Sequence, residues 1–91
     1  MSRYYDKQGK RITHEEYMRL VYHEGESYVR VAETRLDSVW ITTDWIGIKP
    51  ALFLTYVNTH GDTDEQEAHS TLEDAVSGHA RIVQKYKEPK P

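Results

Sequence analysis

Cysteine is absent from this chain of 91 residues, which excludes a disulfide scaffold, a thiolate zinc site and a cysteine nucleophile and suits a reducing cytosol. Long apolar runs are absent as well. No stretch approaches the roughly eighteen residues of a membrane-spanning helix, and residues 1–6 carry no apolar signal core, so a soluble cytoplasmic protein with no membrane association is expected. Basic excess is lacking too: 12 Lys and Arg stand against 15 Asp and Glu, a net charge of -3. Such a balance favours solubility and disfavours indiscriminate binding to nucleic acid or anionic lipid. A single domain of this length buries only about 60 to 65% of its unfolded surface, which leaves little room for a deep internal active site.

Catalytic signatures are missing. There is no Gly-x-Ser-x-Gly elbow and no glycine-rich phosphate loop, and the acid pairs Glu15-Glu16 and Glu73-Asp74 fall in first helical turns, where the macrodipole favours acids. The histidines His14, His23, His60, His69 and His79 form no His-x-x-x-His pair. Asp62, Asp64, Gln66, Ser70 and Glu73 fit a calcium-loop spacing, but Glu67 stands where the sharp turn requires Gly. The expected catalytic, cofactor and metal sites are therefore none, and the chain is read as no enzyme.

What is present is a legible architecture. Ile12-Thr13-His14-Glu15-Glu16-Tyr17 and Ser70-Thr71-Leu72-Glu73 each carry the signal of a helix start, a hydroxyl at the N-cap with Glu three residues on. Before the first, Asp6 and Gly9 mark a tight turn. The first helix is expected over residues 14–23, with Tyr17, Leu20 and Val21 as its apolar stripe and Gly25 as its terminator. Strands are expected over residues 28–34, 39–48 and 51–57, separated by Leu36-Asp37-Ser38 and Lys49-Pro50, with residues 65–69 as a polar edge strand. The final helix repeats Leu72, Ala75, Val76, His79, Ile82, Val83 and Tyr86 at helical spacing. Gly78 inside it marks a close approach, and His79 on the apolar stripe is expected to bond a backbone carbonyl. The fold class is α+β: an antiparallel four-stranded meander with an N-terminal and a C-terminal helix on one face, in the order α-β-β-β-β-α. One domain over residues 1–86 and a solvated tail over 87–91 complete the organisation.

The central strands are apolar on both faces, whereas two helices can cover only one. Alternation places Trp40, Thr42, Asp44 and Ile46 together, with Leu52, Leu54 and Tyr56 or their alternates beside them. This second face is the candidate interaction surface, for a protein partner or for a second copy in a homodimer. A further candidate is the acidic run: Asp62, Asp64, Glu65 and Glu67, continued by Glu73 and Asp74, contain no intervening Lys or Arg and form a patch that could steer a basic partner. Aromatic rings near Arg30 and Arg35 suit stacked bases, yet RNP-like sequences are absent and nucleic acid is the lesser expectation.

Taken together, Tyr5-Asp6-Lys7-Gln8-Gly9, Ile12-Thr13, Glu16-Tyr17, Tyr28-Val29-Arg30-Val31-Ala32-Glu33-Thr34, Thr43-Asp44-Trp45-Ile46-Gly47-Ile48, Ser70-Thr71-Leu72-Glu73-Asp74-Ala75 and Gly78-His79 give the chain a resemblance to one family. It resembles small uncharacterised proteins of actinobacterial phages and prophages, departing from them at Lys49-Pro50-Ala51-Leu52, where they carry a longer glycine-rich insertion. The resemblance implies a phage or prophage accessory protein that acts by binding a host or phage protein. It implies no catalytic residue.

Overall fold

The computed structural model describes residues 3–59 and 62–87, and for residues 62–64 the backbone alone. It opens with a small hairpin, β1 (Tyr4–Tyr5) and β2 (Arg11–Ile12). The turn forms because the Asp6 carboxylate accepts from the amides of Gln8 (3.0 Å) and Lys10 (2.9 Å), while Gly9 takes a φ of 82° that side chains disfavour.

Helix α1 (His14–Arg19) begins at Thr13, whose hydroxyl accepts from the Glu16 amide at 3.1 Å. Its capping box is only half closed, since the Glu16 carboxylate is held by Arg19. The expected helix over residues 14–23 is then corrected: Leu20–Glu24 winds as a π turn, with the Gly25 amide donating to the Leu20 carbonyl at 3.0 Å. Gly25, at φ 54°, redirects the chain into a single helical turn, α2 (Glu26–Val29).

Four antiparallel strands follow in sequence order: β3 (Arg30–Leu36), β4 (Val39–Trp45), β5 (Phe53–Thr59) and β6 (Asp62–His69). Asp37 turns the first pair at φ 49°, and a bulge interrupts their register between Arg30 and Ala32. Helix α3 (Leu72–Lys87) returns across all four strands. Its cap is Thr71, whose hydroxyl accepts from the Asp74 amide at 3.1 Å, so the expected Ser70 to Glu73 pairing is shifted by one residue. The chain is α+β, with a four-stranded antiparallel sheet and a C-terminal helix.

Alternation selects the covered face. Ile41, Thr43 and Trp45 from β4 register with Val57, Thr55 and Phe53 from β5, and all six are buried against Ala75, His79 and Ile82 of α3. Leu20, Trp45, Leu52, Phe53 and Ala75 make one core cluster, while Ile41, Val57 and Ile82 make the second. The N-terminal segment is no second full-length layer. Tyr17, Val21 and Tyr28 pack only at the Trp45 end, where the indole donates to the Tyr5 carbonyl at 2.9 Å and Tyr28 meets it edge-on.

Between the two clusters sits a polar bridge. His79 lies with Nδ1 2.8 Å from the Thr43 hydroxyl and Nε2 2.9 Å from the Thr34 hydroxyl, and Thr43 lies 2.6 Å from Thr55. The expected backbone carbonyl is thus replaced by hydroxyls, which can donate or accept as the imidazole tautomer requires. Burial alone pushes the His79 pKa below its ordinary value.

Candidate interaction surfaces

The sheet's other face carries side chains in rows fixed by register. Arg30, Asp44, Leu54 and Ala68 form one row, Glu33, Thr42, Tyr56 and Gln66 the next, and Arg35, Trp40 and Asn58 a third. Among the described residues no helix packs across these rows. Trp40, Asp44, Leu54 and Tyr56 therefore occupy the face on which alternation places them, each half-buried. Thr42 is on that face but only 6% exposed, enclosed between its row neighbours Glu33 and Tyr56. Ile46 follows the end of β4, also half-buried, its carbonyl accepting from the Tyr17 hydroxyl at 3.2 Å.

Leu52 does not belong to this surface. It is 1% exposed and lies in the first core cluster. The physical reason is the connection before β5: the Leu52 carbonyl accepts from the amides of Ile46 (2.8 Å) and Gly47 (3.2 Å), so residue 52 stands outside the ladder's alternation and is buried along with Phe53. Gly47 allows this turn. It has φ 73°, and a Cβ there would stand 2.6 Å from the Trp45 ring.

The two halves of the open face differ chemically. On β3 and β4 the charges are tied together: Arg30 bonds Asp44 at 2.7 Å and meets Glu33 at 3.1 Å, the Trp40 indole donates to Glu33 at 2.7 Å, and the Arg35 guanidinium covers the Trp40 ring at 4.4 Å. Partial burial depresses the Arg30 pKa, but Asp44, Glu33 and Glu26 outweigh it and hold the pKa above its ordinary value. On β5 and β6 the described side chains of this face are uncharged: Leu54, Tyr56, Gln66 and Ala68.

The acidic run divides as well. Side chains of Asp62 and Asp64, with His60, lie outside the described residues. Glu65 and Glu67 are not an open patch, because both turn toward α3. The Tyr86 hydroxyl donates to Glu65 at 2.8 Å and Lys85 reaches it at 3.3 Å, which together hold the Glu65 carboxyl below its usual range. Glu67 pairs with Arg81. Inward charges of this kind protect an edge strand from unwanted pairing.

Sequence reasoning missed one local arrangement, the packing of His69 on Gly78. A Cβ at Gly78 would fall 2.6 Å from His69 Nε2, so the ring rests directly on the backbone of α3. The glycine inside a helical pattern was the available signal; its partner was not nameable from spacing.

No family model, curated protein or solved structure matches this chain. Among the described residues no group of three or more His, Asp or Glu side chains is placed to hold a metal ion, and no helix is long and apolar enough to cross a membrane.

Proposed function

We propose that this chain is a noncatalytic protein-interaction module whose partner docks on the open face of the sheet, against the uncharged half around Leu54 and Tyr56 with Trp40 at its border. One observation carries the reading: α3 covers one face of the four strands and, among the described residues, no helix covers the other. Half-buried aromatic and aliphatic side chains on such a face supply the apolar centre of an interface, and the Arg30, Asp44 and Glu33 network supplies a polar rim. The resemblance to small proteins of actinobacterial phages and prophages supports reading it as an accessory protein of a phage or prophage, with a host or phage protein, or a second copy, as partner.

The alternative is a nucleic-acid-associated protein that stacks bases on the aromatic face. Against it, Arg30 and Arg35 already engage Asp44, Glu33 and Trp40, so the face offers no track of available cations for phosphates. Light scattering across a concentration series, with and without the Trp40→Ala and Tyr56→Ala substitutions, tests the proposal. Association that weakens by about 2 kcal/mol in a folded variant supports it. A monomer at every concentration that also binds single-stranded nucleic acid with a steep salt dependence favours the alternative.

A further inference from the structure

The two edges of the sheet are not alike. The order β3-β4-β5-β6 leaves an outer row of backbone N–H and C=O groups on β3 and on β6, and such a row is a template for pairing with another chain. On β6 the glutamates guard it: an antiparallel copy centred on residue 65, 66 or 67 sets Glu65 or Glu67 against a glutamate. The β3 edge is written differently. Among the described residues it pairs with β4 alone, and Ala32-Glu33-Thr34-Arg35-Leu36 contains no proline or lysine.

Geometry and charge select the same register for a copy of β3. The bulge between Arg30 and Ala32 bounds the regular ladder on one side and the Asp37 turn bounds it on the other, which leaves residues 32–36 with Thr34 at their midpoint. A twofold axis through Thr34 pairs this whole stretch with itself. Glu33 then faces Arg35 of the second copy on the open side of the sheet, and the reverse pair repeats it. Arg35 is available for this, its side chain 71% exposed and 3.9 Å from its own Glu33. On the covered side Thr34 meets Thr34, and Ala32 meets Leu36, which packs on the second core cluster. Opposite charges and paired threonines are favourable across strands. Moving the axis by one residue sets Glu33 against Glu33 or Arg35 against Arg35, and like charges directly opposite are destabilising.

We propose that β3 is a self-pairing edge: two copies join β3 to β3, antiparallel about Thr34, into one eight-stranded sheet made of two four-stranded halves. Both α3 helices then lie on one side of that sheet and both open faces on the other. The docking face stays free, and the edge pairing does not depend on it.

Because the chain has no cysteine, disulfide scanning reads the register directly. Glu33→Cys, Thr34→Cys and Arg35→Cys are each oxidised in a glutathione buffer. Residue 34 alone faces itself, at about 5 Å, whereas 33 and 35 meet their own copies diagonally at about 7–8 Å, past the reach of an unstrained disulfide. Covalent dimer is therefore expected from Thr34→Cys and only in minor amount from the other two. Sedimentation equilibrium over a concentration series tests the charges without cysteine. The unsubstituted chain should associate, and Glu33→Arg and Arg35→Glu should each weaken association by about fivefold or more. An equimolar mixture of the two should restore it, because every facing pair is again of opposite sign. Equal crosslinking at the three positions, or dominant crosslinking at 33 or 35, overturns the proposal. So does an unsubstituted chain that is monomeric at every concentration, or a mixture that associates no better than its components.

Discussion

His79 is the residue on which the covered face turns, since both its ring nitrogens meet threonine hydroxyls between the two apolar clusters. Its pKa is lowered in the folded chain by burial, whereas the unfolded chain titrates near ~6.5. Between those values the unfolded state binds more protons, so stability is complete above the unfolded value and falls as the pH drops through the window. Urea midpoints should therefore decrease from about pH 7.5 to about pH 5.5, and the decrease should shrink in His79→Gln. A flat wild-type profile over that range would contradict the assignment. That His79 is buried was readable from its position on an apolar helical stripe. Its partners were not, because Thr34 and Thr43 stand 45 and 36 residues before it in the chain and only the folded sheet brings them to the ring.

At the scale of elements, local chemistry marks the starts well and their detailed course poorly. Thr13 and the Asp6 turn lie where hydroxyl, carboxylate and glycine spacing put them, because every group involved is within four residues. Ser70 and Thr71 offer adjacent hydroxyls, and spacing alone could not choose between them; in the folded chain Thr71 accepts from the Asp74 amide. Thr13→Ala and Thr71→Ala should each cost about 1 kcal/mol in denaturant unfolding, with Ser70→Ala within about 0.5 kcal/mol of wild type. A larger loss for Ser70→Ala than for Thr71→Ala would restore the original frame. The π turn at Leu20–Glu24 had no visible signal, since the same apolar stripe serves an ordinary helix. Leu52 escaped for a related reason: carbonyl bonds to Ile46 and Gly47 set its place, and strand alternation does not reach it. Leu52→Ala should destabilise by about 3 kcal/mol, and half-buried Leu54→Ala by no more than about 1 kcal/mol. Equal losses in urea would place both on one face.

For the whole molecule, the four-strand meander and closing helix were legible because runs of β-branched residues, breakers and one long amphipathic period recur in the right order. Function was less so. Alternation identified a second apolar face, but only the folded chain distinguishes its charged half, tied through Arg30 and Glu33, from its uncharged half at Leu54 and Tyr56. The acidic run looked open in sequence, yet Glu65 and Glu67 meet Lys85, Tyr86 and Arg81 of α3, 14 to 21 residues away. Among the described residues no three His, Asp or Glu side chains gather to hold an ion, so EDTA should leave the melting temperature unchanged, and stoichiometric zinc or calcium should not raise it as a bound ligand must. Photo-crosslinking reads docking on the open sheet face without intermediaries. A benzophenone side chain placed at Tyr56 on that face is compared in cells with one at Val76, which is 51% exposed on α3. A discrete protein adduct or covalent dimer that Trp40→Ala suppresses is expected from position 56, and none from position 76. Equal yields from both positions, or an adduct from position 76 alone, would contradict it.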